Sequence, residues 1–123
     1  MGDTDLAFGA YADPSTDMFS RVKALDYVPL SQLFLGMMKD PGFKQRFLRI
    51  ARELATDHFS ATRSTTQLDR FLQRLAPEMD RHTMRWRRPG SVDQWNKEVE
   101  VVRNFAATRE ANVLRQLDAF AKP

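Results

Sequence analysis

An all-α fold is predicted by three observations. Apolar residues recur every three or four positions through most of the chain, proline and glycine fall where helices would start and stop, and no convincing strand pattern appears. The 123 residues suit one domain, and a composition of 42% hydrophobic and 28% charged residues is that of a globular chain, not a disordered one. No apolar run approaches the ~20 residues that cross a bilayer, and no secretory signal is visible. Cysteine is absent, which removes disulfides and thiolate metal sites. His58 and His82 are too far apart to form a His-x-x-x-His ligand pair, so zinc is not expected.

Four or five helices follow from the chain in order. Residues 10–26 lack sustained periodicity, and Asp13-Pro14-Ser15-Thr16-Asp17 is turn chemistry, so this stretch is expected to be an irregular loop. Pro29 suits the first position of a helix reaching about Lys39, with Leu30, Leu33, Phe34 and Met37 on one face and Leu35 and Met38 widening it. Asp40-Pro41-Gly42 stops that helix and caps the next, which runs to about His58 with Phe43, Phe47, Ile50, Leu54 and Phe59 as its buried stripe. After a connection at residues 60–63, Ser64 or Thr65 caps a helix carrying Leu68, Phe71, Leu72 and Leu75. Pro77 should break or kink it before it resumes through Met79, Met84 and Trp86. Ser91 and Gln94 form a capping box for a last helix over Val92 to about Ala121, roughly 45 Å long, with Trp95, Val99, Val102, Ala106, Val113, Leu117 and Phe120 inward. Residues 1–28 therefore read as an irregular segment and 29–123 as a helical domain.

Chemistry concentrates at the start, in Met1-Gly2-Asp3-Thr4-Asp5-Leu6-Ala7-Phe8-Gly9. Alternate residues of an extended segment point the same way, so Asp3 and Asp5 can converge on one cation, and hard carboxylate oxygens suit magnesium. An acidic start is also commonly a solvated tail. The net charge of +3 is unevenly placed, with arginines and lysines concentrated between Lys39 and Arg88. Arg81-His82-Thr83-Met84-Arg85-Trp86-Arg87-Arg88 combines cations with an aromatic, a pairing usable on nucleic acid. Cations also favour helix ends, and no known docking motif accompanies them, so nucleic acid is not the expected partner. His58 should meet terminal carbonyls, and Arg109, which interrupts the last apolar stripe, calls for a carboxylate partner. No Ser-His-Asp arrangement, P-loop or dinucleotide glycine pattern is present.

These motifs resemble the C-terminal part of the spore-coat CotH kinase-like family. Asp3-Thr4-Asp5-Leu6-Ala7-Phe8-Gly9 matches its Asp-x-Asp-x-x-Phe/Trp-Gly signature. Leu30 to Leu33 followed by Asp40-Pro41-Gly42-Phe43-Lys44-Gln45-Arg46-Phe47 matches its middle pattern. Phe105, Arg109 and Val113 match its closing Phe-x-x-x-Arg-x-x-x-Val/Leu. The resemblance implies a helical C-lobe of a protein-kinase-like fold, phosphoryl transfer from ATP to a protein substrate, and Mg2+ held by Asp3 and Asp5. It also implies a bacterial parent that could be spore-coat associated, secreted or at the cell surface. The glycine-rich loop, phosphate-pairing lysine and catalytic-loop residues of such kinases precede this motif and have no counterpart here. The chain is therefore expected to be a fragment that lacks an N-terminal kinase-like lobe and is inactive alone. The alternative is a non-catalytic helical protein-interaction module.

Overall fold

Helix boundaries follow from where the sequence supplies caps for free backbone groups. In a computed structural model, which describes Gly9 and residues 13–122, five α-helices form: α1 (Met18–Ala24), α2 (Pro29–Met37), α3 (Pro41–Glu53), α4 (Ala61–Trp86) and α5 (Val92–Ala121). A π-helical turn, Leu54–His58, continues α3. No strand occurs among the described residues, so the all-α expectation holds. Asp40 caps α3 by accepting the Phe43 N–H at 2.7 Å, with Pro41 at the first helical position. Ser91 Oγ accepts the Gln94 N–H at 3.1 Å, while Gln94 Oε1 accepts from Gly90 N–H at 2.9 Å. That returning bond lands one residue earlier than a capping box places it.

The loop expected over residues 10–26 contains a helix. Asp17 accepts the N–H groups of Phe19 and Ser20 at 2.9 and 3.1 Å, enough to start the seven-residue α1. So short a helix shows no periodicity in sequence, and its stability comes from what Phe19 packs against. α4 also departs from expectation. It starts at Ala61 because Thr65 does not cap: its hydroxyl donates back to the Ala61 carbonyl at 2.8 Å. α4 then passes through Pro77 without ending. Pro77 and Gln73, whose carbonyl loses its helical donor, are both exposed, so water can serve that oxygen.

The helix faces are rotated from the expected stripes. In α2, Phe34 and Leu35 turn inward, as does Met38 at its C-cap, while Leu30 is 77% and Leu33 61% exposed, and Met37 is exposed too. In α3, Phe43, Phe47, Leu48 and Ala51 lie inward. Ala55, in the π-helical turn, is buried, and Ile50, Leu54 and Phe59 are exposed. An apolar arc wider than a helix can bury leaves the choice of inward side to its neighbours.

The described residues group into two compact units. One holds Ser15–Ser60 and the end of α5 from Glu110. Its core is a phenylalanine cluster from four helices. Phe34 meets Phe47 edge-on at 5.1 Å and stacks on Phe120 at 6.2 Å, Phe19 stacks on Phe120 at 5.2 Å, and Phe43 lies 6.5 Å from Phe47. Leu117, one turn before Phe120, has no exposed surface. Gln116 is buried beside this core and donates through Nε2 to the carbonyls of Ser15 and Thr16 at 2.8 and 3.3 Å, while its Oε1 has no partner. Gln116→Leu removes both bonds but also the stranded oxygen, so a net loss of only about 1 kcal/mol is expected in urea unfolding. A loss several times larger would show that these bonds dominate the attachment of residues 15–16.

The other unit holds Ala61–Arg109 with the described residues up to Pro14. Met79, Thr83 and Ala106 are buried in it, and the expected inward residues Trp95, Val99 and Val102 of α5 are half-buried. Arg103 of α5 pairs with Asp69 of α4 at 2.8 Å, placing the two helices side by side there.

Candidate functional site

On α5, residues four apart stand above one another on a single face, so Val101, Phe105 and Arg109 form a ladder. Gly9, the last residue of the Asp-x-Asp-x-x-Phe-Gly motif, and Pro14 both meet that ladder. Gly9 has φ +91°, and a Cβ built on it would come within 3.2 Å of Val101 Cγ1 and 3.5 Å of Phe105 Cβ. Positive φ and close approach both require glycine here. Further along, the Arg109 guanidinium donates to the Pro14 carbonyl at 2.7 Å and lies 6.0 Å from the Phe105 ring centroid. Phe105 and Arg109 were singled out from the sequence as a closing pattern, and Gly9 as the end of an opening one. The fold brings the two patterns together. Arg109, for which a carboxylate partner was expected, also serves a backbone carbonyl as donor.

A groove of about 400 Å³ opens beside this contact. Gly9, Asp13 and Pro14 line one side, and Lys97, Glu100, Val101 and Asn104 of α5 the other. It offers one ammonium, two carboxylates and an amide, with no hydroxyl, thiol or imidazole among its lining residues, so it can bind and orient but supplies no nucleophile. Glu100 also reaches Arg103 at 3.5 Å. The Arg103 guanidinium is held above its usual pKa, chiefly by its hydrogen bond to Asp69, with burial opposing and the charges of Asp69 and Glu100 adding. Arg103 is therefore a permanent cation that ties the groove-bearing face of α5 to α4.

Asp3 and Asp5, the expected magnesium ligands, lie outside the described residues. Among the described residues no group of three His, Cys, Asp or Glu side chains could hold a metal ion. His58 is exposed in the last turn after α3, and His82 Nε2 lies 3.0 Å from the Arg88 carbonyl. Arg81, Arg85, Trp86, Arg87 and Arg88 are all exposed, and Arg85 packs over the Trp86 ring at 4.9 Å. No helix is long and apolar enough to cross a membrane among the described residues. Sequence reading missed the groove residues Lys97, Glu100 and Asn104. Their spacing of three and four was itself visible, but only the placement of Gly9 and Asp13 marks that face.

Comparison with known proteins found no matching curated protein and no matching solved structure. A family model described as CotH kinase protein matches residues 2–113. That span includes the opening motif, the α5 ladder that receives its Gly9, and the closing pattern. The chain belongs to the CotH kinase protein family.

Proposed function

We propose that this chain serves ATP- and divalent-metal-dependent phosphoryl transfer to a protein substrate, as the helical C-lobe portion of a CotH-type kinase. The observation that carries this reading is the family match over residues 2–113, whose opening motif ends at a glycine held against Val101 and Phe105. In the proposal Asp3 and Asp5 hold Mg2+, and the ion neutralises charge on the nucleotide phosphates. The docked Gly9 gives the carboxylates a defined origin on the helical body, which metal chemistry needs because misplaced ligands lose geometry. The 123 residues contain no glycine-rich loop and no strand-borne lysine, so transfer is proposed to require a further kinase-like lobe that supplies them.

Calorimetric titration with MgCl2 and ATP tests the metal assignment. The parent chain is expected to release heat only when both are present, and the Asp3→Ala, Asp5→Ala double variant is expected to release none while keeping its helical circular dichroism. Equal binding by both proteins would remove the two aspartates from the site. Phosphate transfer by the purified chain alone would refute the need for another lobe.

A second reading, a non-catalytic helical interaction module, is favoured by the exposure of Tyr27, Leu30 and Leu33 at 72%, 77% and 61%. Apolar side chains this exposed and this close together suit a protein contact. That reading predicts no response to nucleotide in the same titration.

A further inference from the structure

Five arginines mark one face of α4. Arg63, Arg70, Arg74, Arg81 and Arg85 are spaced seven, four, seven and four residues apart, and all five are exposed. Spacing of seven and four repeats every 11 residues, which is three helical turns with only about 20° of drift, so the row stays on one side of the helix. It runs roughly 33 Å at 1.5 Å per residue. Arg87 and Arg88 follow at its end, and no lysine occurs between Ala61 and Arg88.

The middle of the row, Arg70 and Arg74, is poorly explained by the fold that carries it. Arg70 with Arg74 and Arg81 with Arg85 are like charges one turn apart, which oppose helix formation. Glu78 is the one carboxylate on this side of α4, and it pairs with Arg81 at 3.0 Å. Asp69 points away and pairs with Arg103. Among the described residues Arg70 and Arg74 have no carboxylate at ion-pair distance. A solvated surface ordinarily mixes both signs and uses lysine freely. Arginine is the choice where carboxylates or phosphates are gripped by two parallel bonds.

We infer that this row docks an acidic polypeptide helix lying along α4. Charge complementarity selects a polyanion, and the neighbours of the row select a polypeptide. Phe71 and Leu75, 51% and 52% exposed, border the arginines along one edge, and Trp86 stands 61% exposed at the end. Arginine, tryptophan and phenylalanine are the residues enriched where proteins meet. Leu75 has no base to stack on and gains nothing from a phosphate backbone. A lipid surface fits poorly as well, because Leu68, Leu72 and Met79 of the same helix turn inward. A partner helix with carboxylates at the same seven-and-four spacing would meet each arginine in turn.

Fluorescence anisotropy with a labelled peptide of about 22 residues, the helical length of the row, tests this. Its glutamates follow the seven-and-four spacing with leucines alongside, and a scrambled peptide of equal composition is the comparison. The parent chain is expected to favour the patterned peptide about tenfold, with affinity falling as salt rises. Arg70→Gln, Arg74→Gln and Arg81→Gln together should reduce binding about tenfold, and the matching lysine triple should recover only part of it. Arg21→Gln, Arg46→Gln and Arg115→Gln change the net charge equally and should leave binding within about twofold. Equal loss in that control, no preference for the patterned peptide, or tighter binding to oligo-dT or anionic vesicles would each overturn the inference.

Discussion

Phe120→Ala is expected to cost about 3–5 kcal/mol of unfolding free energy, the largest effect of any single substitution proposed for this chain. Phe120 is 7% exposed, and two other helices share its ring: it stacks on Phe19 of α1 and Phe34 of α2, and Lys23 of α1 lies 4.8 Å over it. Phe47 of α3 contacts both of those rings in turn, at 6.4 and 5.1 Å. Truncation therefore loses transferred apolar surface and leaves a cavity whose walls belong to different helices and cannot all collapse inward. A domain of this size holds about 5–15 kcal/mol in total, so the variant should unfold at much lower urea. Phe59→Ala gives the contrast. That ring is 65% exposed, and its loss should stay within about 0.5 kcal/mol. A Phe120→Ala loss below about 1 kcal/mol would mean that the cluster does not carry this unit.

Gly9→Val is expected to release residue 9 from α5 while leaving most of the fold intact. The backbone at φ +91° costs a β-branched residue about 1–3 kcal/mol by itself. The new side chain would also begin 3.2 Å from Val101 Cγ1 and 3.5 Å from Phe105 Cβ, with bulk still to place. Because Gly9 lies outside the hydrogen-bonded backbone of α5, the chain can release the contact without melting that helix. The strain should therefore appear locally, as faster amide exchange at Asp13 and Ser15, which flank the Pro14 carbonyl held by Arg109, with little change in global unfolding. Under the proposed function the variant should also lose magnesium-ATP binding, although Asp3 and Asp5 are untouched. Unchanged exchange with lost binding would place the effect on the ligand, not on docking.

Legibility followed the range of the interactions involved. The caps at Asp40 and Ser91, and the span of α5, depend on residues within one turn of each other, and these were readable directly. The opening motif was readable as a pattern ending at Gly9, and the α5 surface that receives Gly9 was not. Phe105 and Arg109 carry no local sign that Gly9 and Pro14, about ninety residues earlier, would rest against them.

By itself the sequence determined that the chain is helical, where most helices start and stop, and the family to which its motifs point, because each rests on short-range hydrogen bonding or spacing. Tertiary structure alone decided that α1 forms at all, since seven residues capped by Asp17 need Phe19 to pack against Phe47 and Phe120. It also decided which side of α2 and α3 turns inward. Their apolar arcs are wider than one buried face, and periodicity cannot choose among positions that are all apolar. Long-range packing makes that choice, and Leu30 and Phe59 are exposed because Phe34 and Phe47 take the places in the core.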